Sequence, residues 1–172
     1  MLRKVIEIIL CIVLFVLQIT VFKDLQIASV SPNLILILIA SIGFMRGKNE
    51  GMLVGVICGL FVDIYFSPVL GLYTFLYMLV GYLNGCFKNE FFPNDIKMPM
   101  ILIGISTFLF NTVVYFLMFF FRGDFAYFYY LMNIIIPEIV YTLIISFMLY
   151  PLILKINGRI ETYEKRNASK YG

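Results

Sequence analysis

From Met98 to Phe121 the chain reads MPMILIGISTFLFNTVVYFLMFFF, with no charged residue. A hydrocarbon core of about 30 Å is crossed by about 20 helical residues, so this stretch is long and apolar enough to span a bilayer. Five further apolar stretches qualify or nearly do: Val5 to Phe22, Leu34 to Met45, Gly51 to Phe66, Leu70 to Phe87, and most of Tyr127 to Ile156. Over 172 residues, 62 % are hydrophobic and 13 % charged. Soluble domains run near about 45–50 % and ~25 %, and a water-soluble fold of this size has too little interior to hide the excess. The expected fold is an all-α integral membrane protein, a compact bundle of about six transmembrane helices. Residues 1–157 form a single transmembrane domain with spans near 5–22, 32–46, 51–66, 70–87, 98–121 and 128–156. Residues 158–172 form a charged tail expected to fray or lie on the membrane surface.

Two spans have irregular ends. The second is short, because twelve residues at about 1.5 Å rise cover roughly 18 Å. Either Ile27 to Val30 extend it through a kink at Pro32, or it enters the bilayer only partly. The sixth is interrupted by Pro137 and bounded by Pro151. The first follows Arg3 and Lys4 like a signal peptide, but its apolar run is too long and no small-x-small cleavage site follows, so it reads as a retained helix.

Charge placement supports six crossings. Eleven of the thirteen Lys and Arg residues fall at the chain ends and in the even-numbered loops, and two, Lys23 and Arg122, fall on the other side. The positive-inside rule then puts both termini in the cytoplasm. A five-span chain would lose this split. The exposed loops are too short for a soluble catalytic or nucleotide-binding module, and the basic residues form no face suited to nucleic acid.

Gly43, Gly47, Gly51, Gly55 and Gly59 recur every four residues, and Asp63 continues the series. On a helix this spacing makes a slowly drifting stripe that lets another backbone approach closely. Gly81 and Gly85 repeat the device. The stripe either packs helices within one subunit or docks a partner's membrane helix.

Asp63 and Glu138 are ionisable groups at bilayer depth, where a charge costs at least about 2.5–3.5 kcal/mol. Neither has a cation in its own span. Asp63 lies one turn from its helix end, within reach of headgroup water. Glu138 lies deeper, and Pro137 before it frees a backbone carbonyl. Asn111, Tyr115, Asn84, Gln18 and Thr142 are candidate polar neighbours.

Catalytic chemistry is not evident. The chain has no His, which removes Ser–His dyads and HExxH zinc sites. Only Asp63 is an aspartate clearly inside a span, so paired-aspartate proteolysis has no basis. No phosphate-binding glycine loop is present. Cys11, Cys58 and Cys86 sit in apolar runs without a CxxC pair and read as unpaired small hydrophobes. The expectation is a protein without enzymatic activity, cofactor or metal.

The stretch from Ser31 to Gly85 resembles the rod shape-determining MreD family of bacteria. The likeness rests on Pro32-Asn33-Leu34, the turn Arg46-Gly47-x-x-Glu50-Gly51, the helix Gly55-x-x-x-Gly59-x-x-x-Asp63, Pro68-x-x-Gly71, and Gly81-Tyr82. Near the C-terminus, Pro137-Glu138-x-x-Tyr141 and Tyr150-Pro151 resemble its closing motif, with Thr142 where an Asn is expected. The resemblance implies a non-enzymatic subunit of the cell-elongation machinery in the bacterial cytoplasmic membrane. It implies a bitopic MreC-type partner, a link to MreB filaments, and peptidoglycan synthesis by RodA and its class B penicillin-binding protein. Membrane lipid is the remaining expected partner, and nucleic acid is not expected. Six helices in under 200 residues also resemble substrate-binding subunits of energy-coupling-factor vitamin transporters, which makes such a subunit the alternative function, argued from fold. The first helix lacks the small-xxx-small face those subunits use, and the outer loops offer few groups for a polar ligand.

Overall fold

The structure, a computed structural model, describes residues 2–25, 30–66, 70–90, 95–118 and 127–171. Pro68 and Arg122 lie outside the described residues, as does the side chain of Lys23. Among the described residues the architecture is an all-α bundle of six helices. They are α1 (Leu2–Asp24), α2 (Leu34–Arg46), α3 (Lys48–Phe66), α4 (Leu72–Cys86) and α5 (Lys97–Met118). The sixth, α6, joins Tyr127–Tyr130, a π-turn over Leu131–Ile135, and Ile136–Tyr171. Four of the six, α1, α3, α5 and α6, are long and apolar enough to cross a membrane.

α2 is the axis of the bundle. Every residue from Leu34 to Met45 is buried, which fits a helix that is apolar on all sides. It is surrounded by α1, α3, α4, α5 and α6. Its thirteen residues rise about 20 Å, so it is shorter than the hydrocarbon thickness. Ser31 to Asn33 are not helical and α2 starts at Leu34, while Ile27 to Ser29 lie outside the described residues. Asn33 Oδ1 accepts the Leu36 N–H at 3.0 Å and closes the helix there. Gln18 Oε1, from α1, takes the Ile35 N–H at 3.3 Å. Two N–H groups that a buried helix start would otherwise leave open are thereby satisfied.

α2 turns into α3 through one residue, Gly47, whose φ of +102° is strained for any side chain. α3 and α4 then form the most extensive helix pair. Facing α4, the glycine register meets backbone at each step. A Cβ added at Gly51 or Gly55 would lie 2.5 Å from the carbonyl oxygen of Gly81 or Tyr77. One added at Gly59 would collide with the Thr74 Cα, and one at Gly85 with the backbone of Lys48. Steps of four along α3 thus oppose the antiparallel series Gly81, Tyr77 and Thr74, and α4 of the same chain covers the stripe.

Three local expectations need correction. α6 continues through Pro151 to Tyr171, so Pro151 does not bound it and the tail is helical. Side-chain contacts hold it there, with Glu164 bound to Arg3 of α1. Cys11 and Cys58 form a disulfide between α1 and α3, with both residues fully buried. Their separation of 47 residues carries no sequence signal of it. Cys86 is exposed at the end of α4, and its thiol donates to the Tyr82 carbonyl.

The Arg3–Glu164 pair also shows that both ends of the chain lie at one end of the bundle. Exposed Ile, Val, Leu and Phe side chains cover the outward faces of α1, α5 and α6. In water such a surface would be a large aggregation-prone patch; in lipid it is matched.

Candidate functional site

Sequence-marked residues gather at both ends of the bundle. At the end that holds the termini, the turn Arg46-Gly47-x-x-Glu50-Gly51 splits its work among four partners. Arg46 donates from Nε to Asn157 Oδ1 at 2.5 Å and from Nη2 to the Asn157 carbonyl, which ties α2 to α6. Gly47 makes the turn. Glu50 lies 3.7 Å from Arg3, and Gly51 backs onto Gly81. Lys48 sits over the Tyr82 ring, 5.4 Å from its centroid.

Glu7 belongs to this ionic cluster and was missed in the sequence. It is 6 % exposed and interacts electrostatically with Arg3, Arg46, Glu50 and Glu164. The available signal was its position one helical turn after Arg3, on the same face.

At the opposite end, Asp63 is 1 % exposed and does not reach outward. Its Oδ2 accepts the N–H of Gly71 at 3.0 Å and that of Thr74 at 2.9 Å, and the Thr74 hydroxyl at 2.5 Å. Its Oδ1 accepts the Tyr73 N–H at 3.0 Å. These N–H groups open α4. Gly71, the N-cap residue, has no side chain to cap with, and its φ is +100°. The carboxylate of the preceding helix supplies the cap, and its charge faces the positive end of the α4 dipole.

Asn33 joins three helices at the same end. Its amide exchanges hydrogen bonds with the Tyr77 hydroxyl at 3.1 and 3.2 Å. Its N–H donates to Thr142 Oγ1 at 3.3 Å. Thr142 therefore fills a hydroxyl-acceptor role where an amide was expected. Tyr141 donates to the Leu25 carbonyl at 2.9 Å, linking α6 to the end of α1. Pro32 is buried beside this junction.

Glu138 is not among the residues that cap α2 and α4. It lines a cavity of about 380 Å³ at the end opposite the termini, to which α1, α3, α4, α5, α6 and the residues just before α2 contribute. Asn111 is its hydrogen-bond partner; the same Asn111 amide donates to the Thr107 carbonyl at 3.1 Å. Gln18 and Asn33 also line the cavity. Of the other proposed neighbours, Asn84 instead donates to Ser106 Oγ at 2.7 Å, between α4 and α5, and Tyr115 packs its ring on Tyr127 and Tyr130. Pro137 follows the π-turn. It has no N–H to give the Asn133 carbonyl, and its ring crowds that carbonyl. The wider turn, in which the Ile136 N–H reaches the Leu131 carbonyl, relieves the crowding.

Chemically, these arrangements cap, tie and pack helices. Among the described residues no group of three or more Cys, Asp or Glu is placed to hold a metal. A family model described as rod shape-determining protein MreD matches residues 1–158. Comparison with curated proteins gave no match, and comparison with solved structures gave none.

Proposed function

We propose a role that proceeds from one premise: the chain belongs to the rod shape-determining protein MreD family, and so takes part in setting bacterial cell shape. In this reading it is a non-enzymatic membrane scaffold of the cell-elongation complex. It binds the membrane helix of an MreC-type bitopic protein. Through that partner it couples MreB filaments to peptidoglycan synthesis by RodA and its class B penicillin-binding protein. It resides in the bacterial cytoplasmic membrane with both termini in the cytoplasm. That orientation follows from eleven of thirteen basic residues falling on the side of the termini.

The family match carries this reading, because the fold alone carries no function. The architecture supports it. Asp63 caps α4 and Arg46 ties α2 to α6, and the broad apolar outer faces are exposed to lipid or another helix.

Photocrosslinkers placed at exposed positions Ile12, Ile105 and Phe147 test the partnership in membranes. The expected result is an adduct with the MreC-type protein from at least one position. Adducts with unrelated membrane proteins only, from all three positions, would reject it.

A further inference from the structure

The cavity that holds Glu138 has a chemistry that neither the scaffold role nor the packing of the bundle uses. We propose that it binds a primary ammonium group, carried by a membrane phospholipid or by a small soluble amine. Its volume of about 380 Å³ lies within the range of about 300–1,000 Å³ found for small-molecule sites. Its polar floor is the Glu138 carboxylate, which receives a hydrogen bond from Asn111. A carboxylate has about four acceptor positions, so capacity remains toward the cavity. Tyr73, Tyr77 and Tyr130 lie within electrostatic reach of that carboxylate, and Tyr65 completes an aromatic side of the wall. None of the described residues lining the cavity is basic.

An acidic group beside tyrosine side chains, with no described cation in the lining, is complementary to a cation and hostile to a phosphate or carboxylate. The three N–H donors of an ammonium suit the carboxylate. The site sits at the end of the bundle opposite the termini, where lipid headgroups and water both have access to a membrane protein. An anionic headgroup would instead meet Glu138 without a described counter-charge.

The test uses the full chain in lipid nanodiscs, followed by native mass spectrometry of retained lipid. The probes are phosphatidylethanolamine, its N-acetylated form, which lacks the ammonium, and phosphatidylglycerol. Wild-type protein is expected to retain phosphatidylethanolamine about tenfold over both other lipids. Glu138→Gln keeps the shape and removes the charge, and is expected to abolish the preference while melting like wild type. Should Glu138→Gln fail to fold, the comparison of the two ethanolamine lipids on wild-type protein decides alone. Displacement of the lipid by millimolar free ethanolamine would assign the site to soluble amines, and resistance would assign it to the phospholipid. Equal retention of the N-acetylated lipid by wild type, or an unchanged preference in a folded Glu138→Gln protein, would overturn the proposal.

Discussion

Asp63 Oδ2 accepts both the N–H and the hydroxyl of Thr74, at 2.9 and 2.5 Å, so the last turn of one helix closes the first turn of the next. The charge sits in a buried position because three N–H donors and a helix dipole meet it there. Asp63→Ala is expected to lower stability by about 2 kcal/mol, in line with loss of a helix cap. Asp63→Asn keeps one acceptor oxygen and should cost about half as much. Thermal unfolding in detergent, followed by size-exclusion chromatography, measures both.

Glycine substitutions should divide by what a methyl group would meet. A Cβ at Gly81 collides with the backbone of Gly51, which cannot rotate aside. Gly81→Ala is expected to destabilise by at least about 1–3 kcal/mol through overpacking. A Cβ at Gly158 meets nothing within 4 Å, and this residue lies inside α6. Gly158→Ala should stabilise by about 0.5–1 kcal/mol, the helix-propensity difference. Melting temperatures moving in opposite directions would confirm the contrast.

Much of this was legible in the chain. Uncharged runs marked the helices, because lipid leaves the backbone few other ways to satisfy its hydrogen bonds. The four-residue glycine step marked the α3–α4 face, since only small residues at that period permit backbone contact. The cap at Asp63 was not legible, because its donors lie eight to eleven residues later and depend on how α4 folds back. The Cys11–Cys58 bridge was hidden for the same reason of distance in sequence. Glu7 lies within the first apolar run with nothing beside it in sequence to mark a role, and only the approach of α3 and α6 shows it to be buried in an ionic cluster. The tail past Gly158 reads as frayed or surface-lying because its partner, Arg3, lies at the other end of the chain.

The contact between Arg3 and Glu164 holds the two chain ends together. Both side chains are partly exposed, so the pair should contribute no more than about 1 kcal/mol. Arg3→Glu is expected to loosen the end of α6, and the exchange Arg3→Glu with Glu164→Arg should restore part of the loss. Protease sensitivity of the C-terminal segment, read at low and at high salt, reports this. The single variant's effect should shrink as salt screens the charges.

Asn84 and Ser106 make a polar tie between α4 and α5 at 2.7 Å, with both residues buried. Interhelical hydrogen bonds in membranes average about 0.6 kcal/mol. Ser106→Ala should therefore cost about that much, far less than Gly81→Ala. A double-mutant cycle with Asn84→Ala isolates the pair, with thermal stability as the readout.

The central claim is that this bundle is a structural subunit through which a bacterium maintains its rod form. Cell width and length after depletion of the chain from the bacterium that encodes it test that claim most directly. Cells are expected to widen and round, and to recover when the wild-type chain is restored but not when Gly81→Leu is supplied. Depleted cells that grow as rods of unchanged width would contradict it.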